Sequence, residues 1–89
     1  MDDKLSCERQ KIDAIDKEIA ALFVERMKIS KAVSRIKKQN SLDTYVPGRE
    51  KMVLENVSRL CGDRLAPYAV RLWETILALS REYQDADDE

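Results

Sequence analysis

The chain has 89 residues, enough for one small domain, which we place at residues 1–89 with its folded part at about 5–84. Charged residues make up 37% of the sequence, yet the net charge is −1, which argues against nucleic acid or an anionic membrane as a partner. No apolar run approaches the roughly 20 residues of a membrane span, and the N-terminus is too polar for a signal peptide. The expected location is therefore the cytoplasm.

Residues that usually carry acid–base or metal chemistry are scarce. The sequence has no histidine, which removes the commonest general base and most zinc sites. Cys7 and Cys61 lie far apart without metal-ligand spacing, and in a reducing cytoplasm we expect two free thiols. We therefore expect no metal site.

An apolar stripe with spacings of three and four residues runs along the first part of the chain. Its members are Leu5, Ile12, Ile15, Ile19, Leu22, Ile29, Val33 and Ile36. The stripe predicts one long amphipathic helix from about residue 5 to about residue 38, with this face inward. Such a helix is about 50 Å long, beyond any globule that so short a chain can build. A partner helix is therefore expected, most simply from a second copy of the chain.

The rest of the chain predicts two shorter helices. Residues 39–46 form a polar loop, and Pro47 suits the first turn of the second helix. That helix ends near Gly62, a natural C-cap, and the third begins around Leu65 or Pro67. The acidic tail, residues 85–89, is expected to fray. The apolar positions are Val53, Leu54, Val57, Leu60 and Cys61 on the second helix, and Val70, Leu72, Trp73, Ile76, Leu77 and Tyr83 on the third. The predicted fold is all-α, with three helices per chain.

Charged residues interrupt the apolar face of the first helix. Arg26 stands where the pattern reserves a place for a hydrophobe. Lys37 points in almost the same direction, roughly 16 Å further along the axis, so the two could hold the ends of one small anion. Arg9 lies roughly 25 Å before Arg26 and about a quarter-turn away. In an antiparallel dimer it could serve the partner's site instead.

Polar residues also continue the buried faces of the other two helices. Arg49 and Glu50 open the second helix, while Ser80 and Gln84 stack at i, i+4 on the third. Together with Arg26 they would form a cationic pocket inside an apolar bundle, a common place for a small molecule. Taken singly, each has an ordinary explanation, since a lone arginine on an apolar face more often snorkels or forms a structural ion pair. Their joint placement is what favours a site.

In these residues the chain resembles the small all-helical chorismate mutases over about residues 5–84. The matching elements, in order and interval, are Arg9, Ile12-Asp13-Ala14-Ile15-Asp16, Glu25-Arg26, Lys37, Arg49-Glu50-Lys51-Met52-Val53-Leu54 and the Ser80/Gln84 pair. The resemblance implies an intertwined helical homodimer with two equivalent pockets. It also implies an isomerase that rearranges chorismate to prephenate in aromatic amino acid biosynthesis and uses no cofactor.

The same resemblance assigns roles around the bond that breaks. It implies that Arg26 binds the enolpyruvyl-side carboxylate of chorismate, helped by Arg9 of the partner subunit. Lys37 and Gln84 would donate hydrogen bonds to the ether oxygen. Lys37, Gln84 and Arg26 are thus the expected catalytic residues.

The ring end of the substrate has its own expected residues. The resemblance implies that Arg49 and Ser80 lie near the ring carboxylate and that Glu50 accepts from the ring hydroxyl. Family members often have Asp-Pro-Glu-Arg-Glu at the start of the second helix, whereas this chain has Val46-Pro47-Gly48-Arg49-Glu50. Valine is a poor N-cap, at a cost of roughly 1 kcal/mol relative to aspartate. Val46 receives no functional role.

Two other functions stay open at this point. An isochorismate-pyruvate lyase on the same scaffold also needs a cationic pocket for a similar dianion. The departure from the family sequence at residues 46–48 leaves this function open. A non-catalytic helical dimerisation module would use the first helix as a coiled-coil seam, with Arg26 setting register. The sequence carries no signal for or against docking of another shikimate-pathway enzyme.

Overall fold

A computed structural model describes residues 2–86, with side chains from residue 3. These residues form two α-helices, α1 (Asp2–Gln39) and α2 (Pro47–Asp85), and contain no strand, which confirms the all-α prediction. The predicted count of three helices is wrong, because the second and third are joined in one helical element. Residues 87–89 of the predicted tail lie outside the described residues. Within those residues, neither helix is long and apolar enough to cross a membrane.

Gly62 folds α2 back on itself. Its backbone leaves the helical conformation, at φ 79° and ψ 161°. Glu50 and Arg81 would stand about 46 Å apart on a straight helix, yet their side chains form an ion pair at 2.5 Å. The break therefore divides α2 into a first arm, residues 47–61, and a second arm, residues 63–85. The expected break at Gly62 is in the right place, but one residue makes it and no loop separates the arms.

A compact turn ends α1 and holds its last residues in place. Ser41 adopts a left-handed conformation, at φ 56°. The Leu42 N–H donates to the Lys37 carbonyl at 2.8 Å, and the Ser41 N–H donates to the Lys38 carbonyl at 3.2 Å. This pair of bonds is the Schellman pattern, which satisfies carbonyls that a helix end leaves free. The helix thus stops within two residues of the Lys37 side chain.

The α1 helix packs against the second arm of α2 through a face that the sequence pattern did not single out. Hydrogen bonds join Arg26 to Ser80 and Ser30 to Gln84, so α1 and the second arm run parallel. The buried side chains of the described chain are Met27, Lys31 and Ser34 on α1, and Val57, Ala69, Leu77 and Ser80 on α2. Most of this core is made of small or polar side chains, so the single chain has little apolar packing of its own.

The predicted inward stripe of α1 is exposed in the single chain. Its eight members, from Leu5 to Ile36, are 41% to 62% exposed. Every described side chain from residue 3 to residue 25 is exposed as well. The hydrogen bonds that join α1 to the second arm involve Arg26, Ser30 and Lys31, beyond this region. The apolar stripe therefore faces away from the chain's own core, contrary to the expectation of an inward face.

Replacing Gly62 tests the break in α2. Gly62→Ala is expected to destabilise the chain by about 1–3 kcal/mol, because this region of backbone conformation is nearly exclusive to glycine. An added Cβ would meet no atom within 4 Å, so the cost comes from the backbone alone.

Gly48→Ala is the matched control, since Gly48 also has open space around it but lies in helical backbone. That variant is expected to be more stable by about 0.5–1 kcal/mol. Urea denaturation of both variants measures the difference. Equal effects of the two substitutions would contradict the role given to Gly62.

Candidate active site

A cavity of about 300 Å³ opens between α1, the connection and both arms of α2. Its polar lining consists of Arg26, Ser30, Lys37, Thr44, Arg49, Glu50, Ser80, Arg81 and Gln84, and its apolar lining of Ile29, Val33, Val46, Val53 and Leu77. The structure thus brings together six of the seven residues that the sequence pointed to. The seventh, Arg9, is not part of this wall.

One wall of the cavity is a single face of α1. Arg26, Ser30, Val33 and Lys37 follow one another at spacings of four, three and four residues, which places them one above another on a helix. Arg26 and Lys37 are both half-buried. The Lys37 Nζ donates to the Thr44 carbonyl at 3.3 Å, across the turn that ends α1. The predicted common face of the two cations is therefore present in the fold.

The second arm of α2 supplies the opposite wall. Ser80 is buried and accepts a hydrogen bond from the Arg26 guanidinium at 3.2 Å. One turn later, the Gln84 amide donates to the Ser30 hydroxyl at 2.7 Å and to the Ser30 carbonyl at 3.3 Å. These bonds hold the polar side chains of both walls in fixed directions before any ligand binds. Ser30 was not singled out from the sequence, since a lone serine on a helix gives no signal.

The first turn of α2 begins without a side-chain cap. Val46 is the N-cap residue in an extended conformation and makes no side-chain capping bond, which confirms the expectation of a weak cap. Only its backbone carbonyl takes part, accepting from the N–H groups of Arg49 at 3.0 Å and Glu50 at 3.3 Å. Pro47 occupies the start of the helix, as predicted. Arg49 is exposed and Glu50 is half-buried.

Arg81 is a cavity residue that sequence reasoning missed. Its Nη1 donates to both carboxylate oxygens of Glu50 at 2.5 Å, and its guanidinium lies 5.3 Å from the centre of the Tyr45 ring. The hydrogen bond to Glu50 raises the pKa of Arg81 above its ordinary value, so the group stays charged wherever the protein is folded. Residue 81 is one step off the helical line of Ser80 and Gln84. Its pairing with Glu50 exists only because α2 folds back at Gly62.

Arg9 lies on the exposed N-terminal half of α1. Its side chain makes no contribution to the cavity of its own chain, in keeping with its distance of about 25 Å along the helix from Arg26. The single chain therefore neither supplies Arg9 to the site nor tests its predicted origin in a partner.

The electrostatics of the cavity favour an anion. Arg26, Lys37, Arg49 and Arg81 carry four positive charges, against one negative charge on Glu50. Among the described residues, no carboxylate lies within 4 Å of the charged groups of Arg26 or Lys37. Partly desolvated cations with only neutral partners are best satisfied by an incoming anion. An excess of three positive charges over about 300 Å³ suits a small molecule with two carboxylates.

A second cavity, of about 570 Å³, does not share these properties. It lies beside Phe23, Met27 and Tyr83, and its two charged residues, Lys28 and Glu82, are of opposite sign. It therefore offers no net attraction to a dianion. Within residues 3–86, no three Cys, Asp or Glu side chains are grouped to share a metal ion, and both cysteines are free and exposed.

Comparison with known proteins connects this geometry with a family. The family described as "Chorismate mutase type II" matches residues 8–85. A "Chorismate mutase" from Methanocaldococcus jannaschii is 39% identical over 63 residues, which is 71% of this chain and 64% of that protein. No solved structure matches the chain significantly.

Two larger relatives match shorter segments. A "Bifunctional chorismate mutase/prephenate dehydratase" from Aquifex aeolicus is 42% identical over 52 residues, 58% of this chain and 14% of that protein. A "T-protein" from Haemophilus influenzae is 36% identical over 47 residues, 53% of this chain and 12% of that protein. The chain thus spans less than two thirds of the length of each of these relatives.

Proposed function

We propose, from the premise that the chain belongs to the type II chorismate mutase family, that it catalyses the rearrangement of chorismate to prephenate. The observation that carries the proposal is the charge of the cavity, where four cations face one carboxylate in about 300 Å³. Chorismate is a compact dianion of opposite charge, with a ring hydroxyl for which Glu50 is a suitable acceptor.

The residues present suit a unimolecular pericyclic reaction. One carbon–oxygen bond breaks while a carbon–carbon bond forms, and the reaction needs neither a nucleophile nor a proton transfer. The enzyme has to hold a flexible dianion in a compact chair-like form, which is a matter of positioning. It also has to stabilise negative charge that develops on the ether oxygen. Fixed hydrogen-bond donors in a partly enclosed site can do both.

Lys37 and Gln84 are the proposed donors to the ether oxygen. They come from opposite walls of the cavity and each is already oriented, Lys37 by the Thr44 carbonyl and Gln84 by Ser30. An ammonium group has three N–H donors, so Lys37 retains two after this contact. Gln84 can release its longer bond, at 3.3 Å, to reach a substrate. Both donors are thus oriented before the substrate binds.

The remaining polar groups are proposed to bind the carboxylates and the hydroxyl. Arg26 is assigned to the enolpyruvyl-side carboxylate, because a guanidinium can bind a carboxylate through two parallel hydrogen bonds. Arg49 and Ser80 are assigned to the ring carboxylate, at the start of α2 and on its second arm. Glu50 is assigned to the ring hydroxyl.

An intertwined homodimer is the proposed form of the enzyme. The apolar stripe of α1 stands 41% to 62% exposed, and it continues over the N-terminal half that α2 leaves uncovered. A face of this size and polarity is what an obligate partner helix covers. We assign the partner as a second copy of the chain, which would bring Arg9 of the partner subunit to the enolpyruvyl-side carboxylate. The cytoplasm is the proposed location.

Product identification tests the reaction itself. Chorismate is expected to disappear with formation of prephenate. Conversion of isochorismate to salicylate and pyruvate, without prephenate from chorismate, would instead establish the lyase. A non-catalytic helical module would turn over neither substrate, and a chorismate transition-state analogue would not raise its thermal midpoint, as ligand linkage requires of the enzyme.

Replacing Lys37 tests the stabilisation of the ether oxygen. Lys37→Ala is expected to lower kcat/KM by about 10²–10³, the usual effect of removing one such donor. Lys38→Ala is the matched control, because Lys38 is the next residue, is exposed and does not line the cavity. That control should keep near-normal kinetics. Near-normal turnover of Lys37→Ala in a folded protein would remove Lys37 from the mechanism.

Mixed dimers test whether Arg9 acts across subunits. Arg9→Ala and Arg26→Ala chains are each expected to be nearly inactive alone. After subunit exchange, a heterodimer holds one intact site if Arg9 comes from the partner, so about a quarter of wild-type activity should return at random mixing. Native mass spectrometry verifies the exchange. Verified heterodimers without recovered activity would contradict the shared site.

A further inference from the structure

We propose that Arg81 is a positioning residue, which holds Glu50 and the start of α2 in the geometry that the ring hydroxyl of the substrate requires. The inference rests on the proposed function and adds to it a residue that lies off the motif. Arg81 lines the cavity from the second arm of α2, while Glu50 lines it from the first arm. The two side chains meet across the opening between the arms.

The contacts of Arg81 join three separate segments of the chain. Its Nη1 donates to both oxygens of the Glu50 carboxylate at 2.5 Å. Its guanidinium also lies over the ring of Tyr45, 5.3 Å from the centroid, within the range of a cation–π contact. Tyr45 belongs to the connection, Glu50 to the first turn of α2, and Arg81 to the far end of the same helix. One side chain thus ties the connection and the first turn to the second arm.

The first turn of α2 has little else to hold it. Its N-cap, Val46, makes no side-chain bond, and Gly48 in the same turn has a low helix propensity. Besides the ordinary backbone bonds of the helix, the start of the turn is tied by two bonds to the Val46 carbonyl. Because the proposed acceptor Glu50 sits in this turn, its direction depends on a contact from outside. Arg81 supplies that contact.

A carboxylate bound in this way can still accept a hydrogen bond from substrate. Its two oxygens have about four acceptor positions, of which the Arg81 contacts occupy two. The guanidinium therefore sets the direction of Glu50 without using up its capacity. The pair is also partly exposed, at 41% for Arg81 and 24% for Glu50, so its removal should leave global stability almost unchanged. Effects on the site can thus be separated from effects on the fold.

Two substrates separate positioning from direct binding. Arg81→Gln is expected to lower kcat/KM for chorismate about tenfold, mainly through KM, which is the scale of one hydrogen bond to a charged group. For the analogue in which hydrogen replaces the ring hydroxyl, the loss should stay under about twofold, because Glu50 has nothing to accept. Arg81→Lys keeps a charge within reach of Glu50 and should restore part of the loss.

Arg59→Gln is the matched control. Arg59 also bonds a neighbouring acceptor, the Asn56 side chain at 2.9 Å, but on an exposed face of the first arm outside the cavity. It should change neither substrate's kinetics. The double variant Glu50→Gln with Arg81→Gln should lose no more than Glu50→Gln alone, since the two residues act as one unit. Equal losses on both substrates, or additive losses in the double variant, would overturn the positioning role.

Hydrogen exchange gives a readout that does not depend on turnover. In Arg81→Gln, the amides of Val46 and of residues 48–50 should exchange faster than in the wild type, while Arg59→Gln leaves them unchanged. Unchanged exchange in Arg81→Gln would overturn the proposal for Arg81. Failure of the wild-type chain to convert chorismate would instead refute the proposed function. The exchange result would still test whether Arg81 stabilises the first turn of α2.

Discussion

Positive charge held in a confined cavity without equal negative charge is the constraint on which the site depends. Arg26 and Lys37 are half-buried, and their partners are a serine hydroxyl and a backbone carbonyl. Neutral acceptors only partly replace the water that each cation has lost. Glu50 neutralises Arg81, whereas Arg26 and Lys37 contact only neutral acceptors. The positive charge of these two residues is therefore not balanced within the cavity. Under the proposed function, this deficit of negative charge is the source of affinity for the dianionic substrate.

A single residue makes that concentration of charge possible. The reversal at Gly62 lays the second arm of α2 parallel to α1 and brings Ser80 against Arg26, while Glu50 comes round to Arg81. The reversal also determines what stays uncovered. The second arm is joined to α1 by hydrogen bonds near its C-terminal end, at Ser80, Gln84 and Ala86, while the N-terminal half of α1 stays exposed. The uncovered half of α1 and the cavity are thus two consequences of one break.

Sequence periodicity predicted the parts of this arrangement that lie on one helix. The common face of Arg26 and Lys37, the i, i+4 pair of Ser80 and Gln84, and the break at Gly62 all follow from local rules. The contacts that it missed are between side chains on different helices or arms, and they depend on how these pack together. Lys31 is 7% exposed, with its ammonium 4.3 Å from the centre of the Tyr83 ring, a contact that no spacing rule encodes. Arg81 was missed for the same reason, because its partner is 31 positions away across a fold in the helix.

The geometry of α1 connects the cavity with the uncovered stripe. At about 100° per residue, Arg26, Ser30 and Lys37 lie about a quarter-turn from the buried seam, which is centred on Met27, and on the side of the exposed stripe. Two members of the stripe, Ile29 and Val33, line the cavity with them. The cavity wall is thus the border between the face that packs on α2 and the face that nothing in the described chain covers. A helix laid on the stripe would pass beside the cavity, because Ile29 and Val33 belong to both. Under the proposed dimer, assembly and substrate binding therefore use adjoining faces of one helix, and the N-terminal half of α1, with Arg9, becomes a wall of the second copy's site.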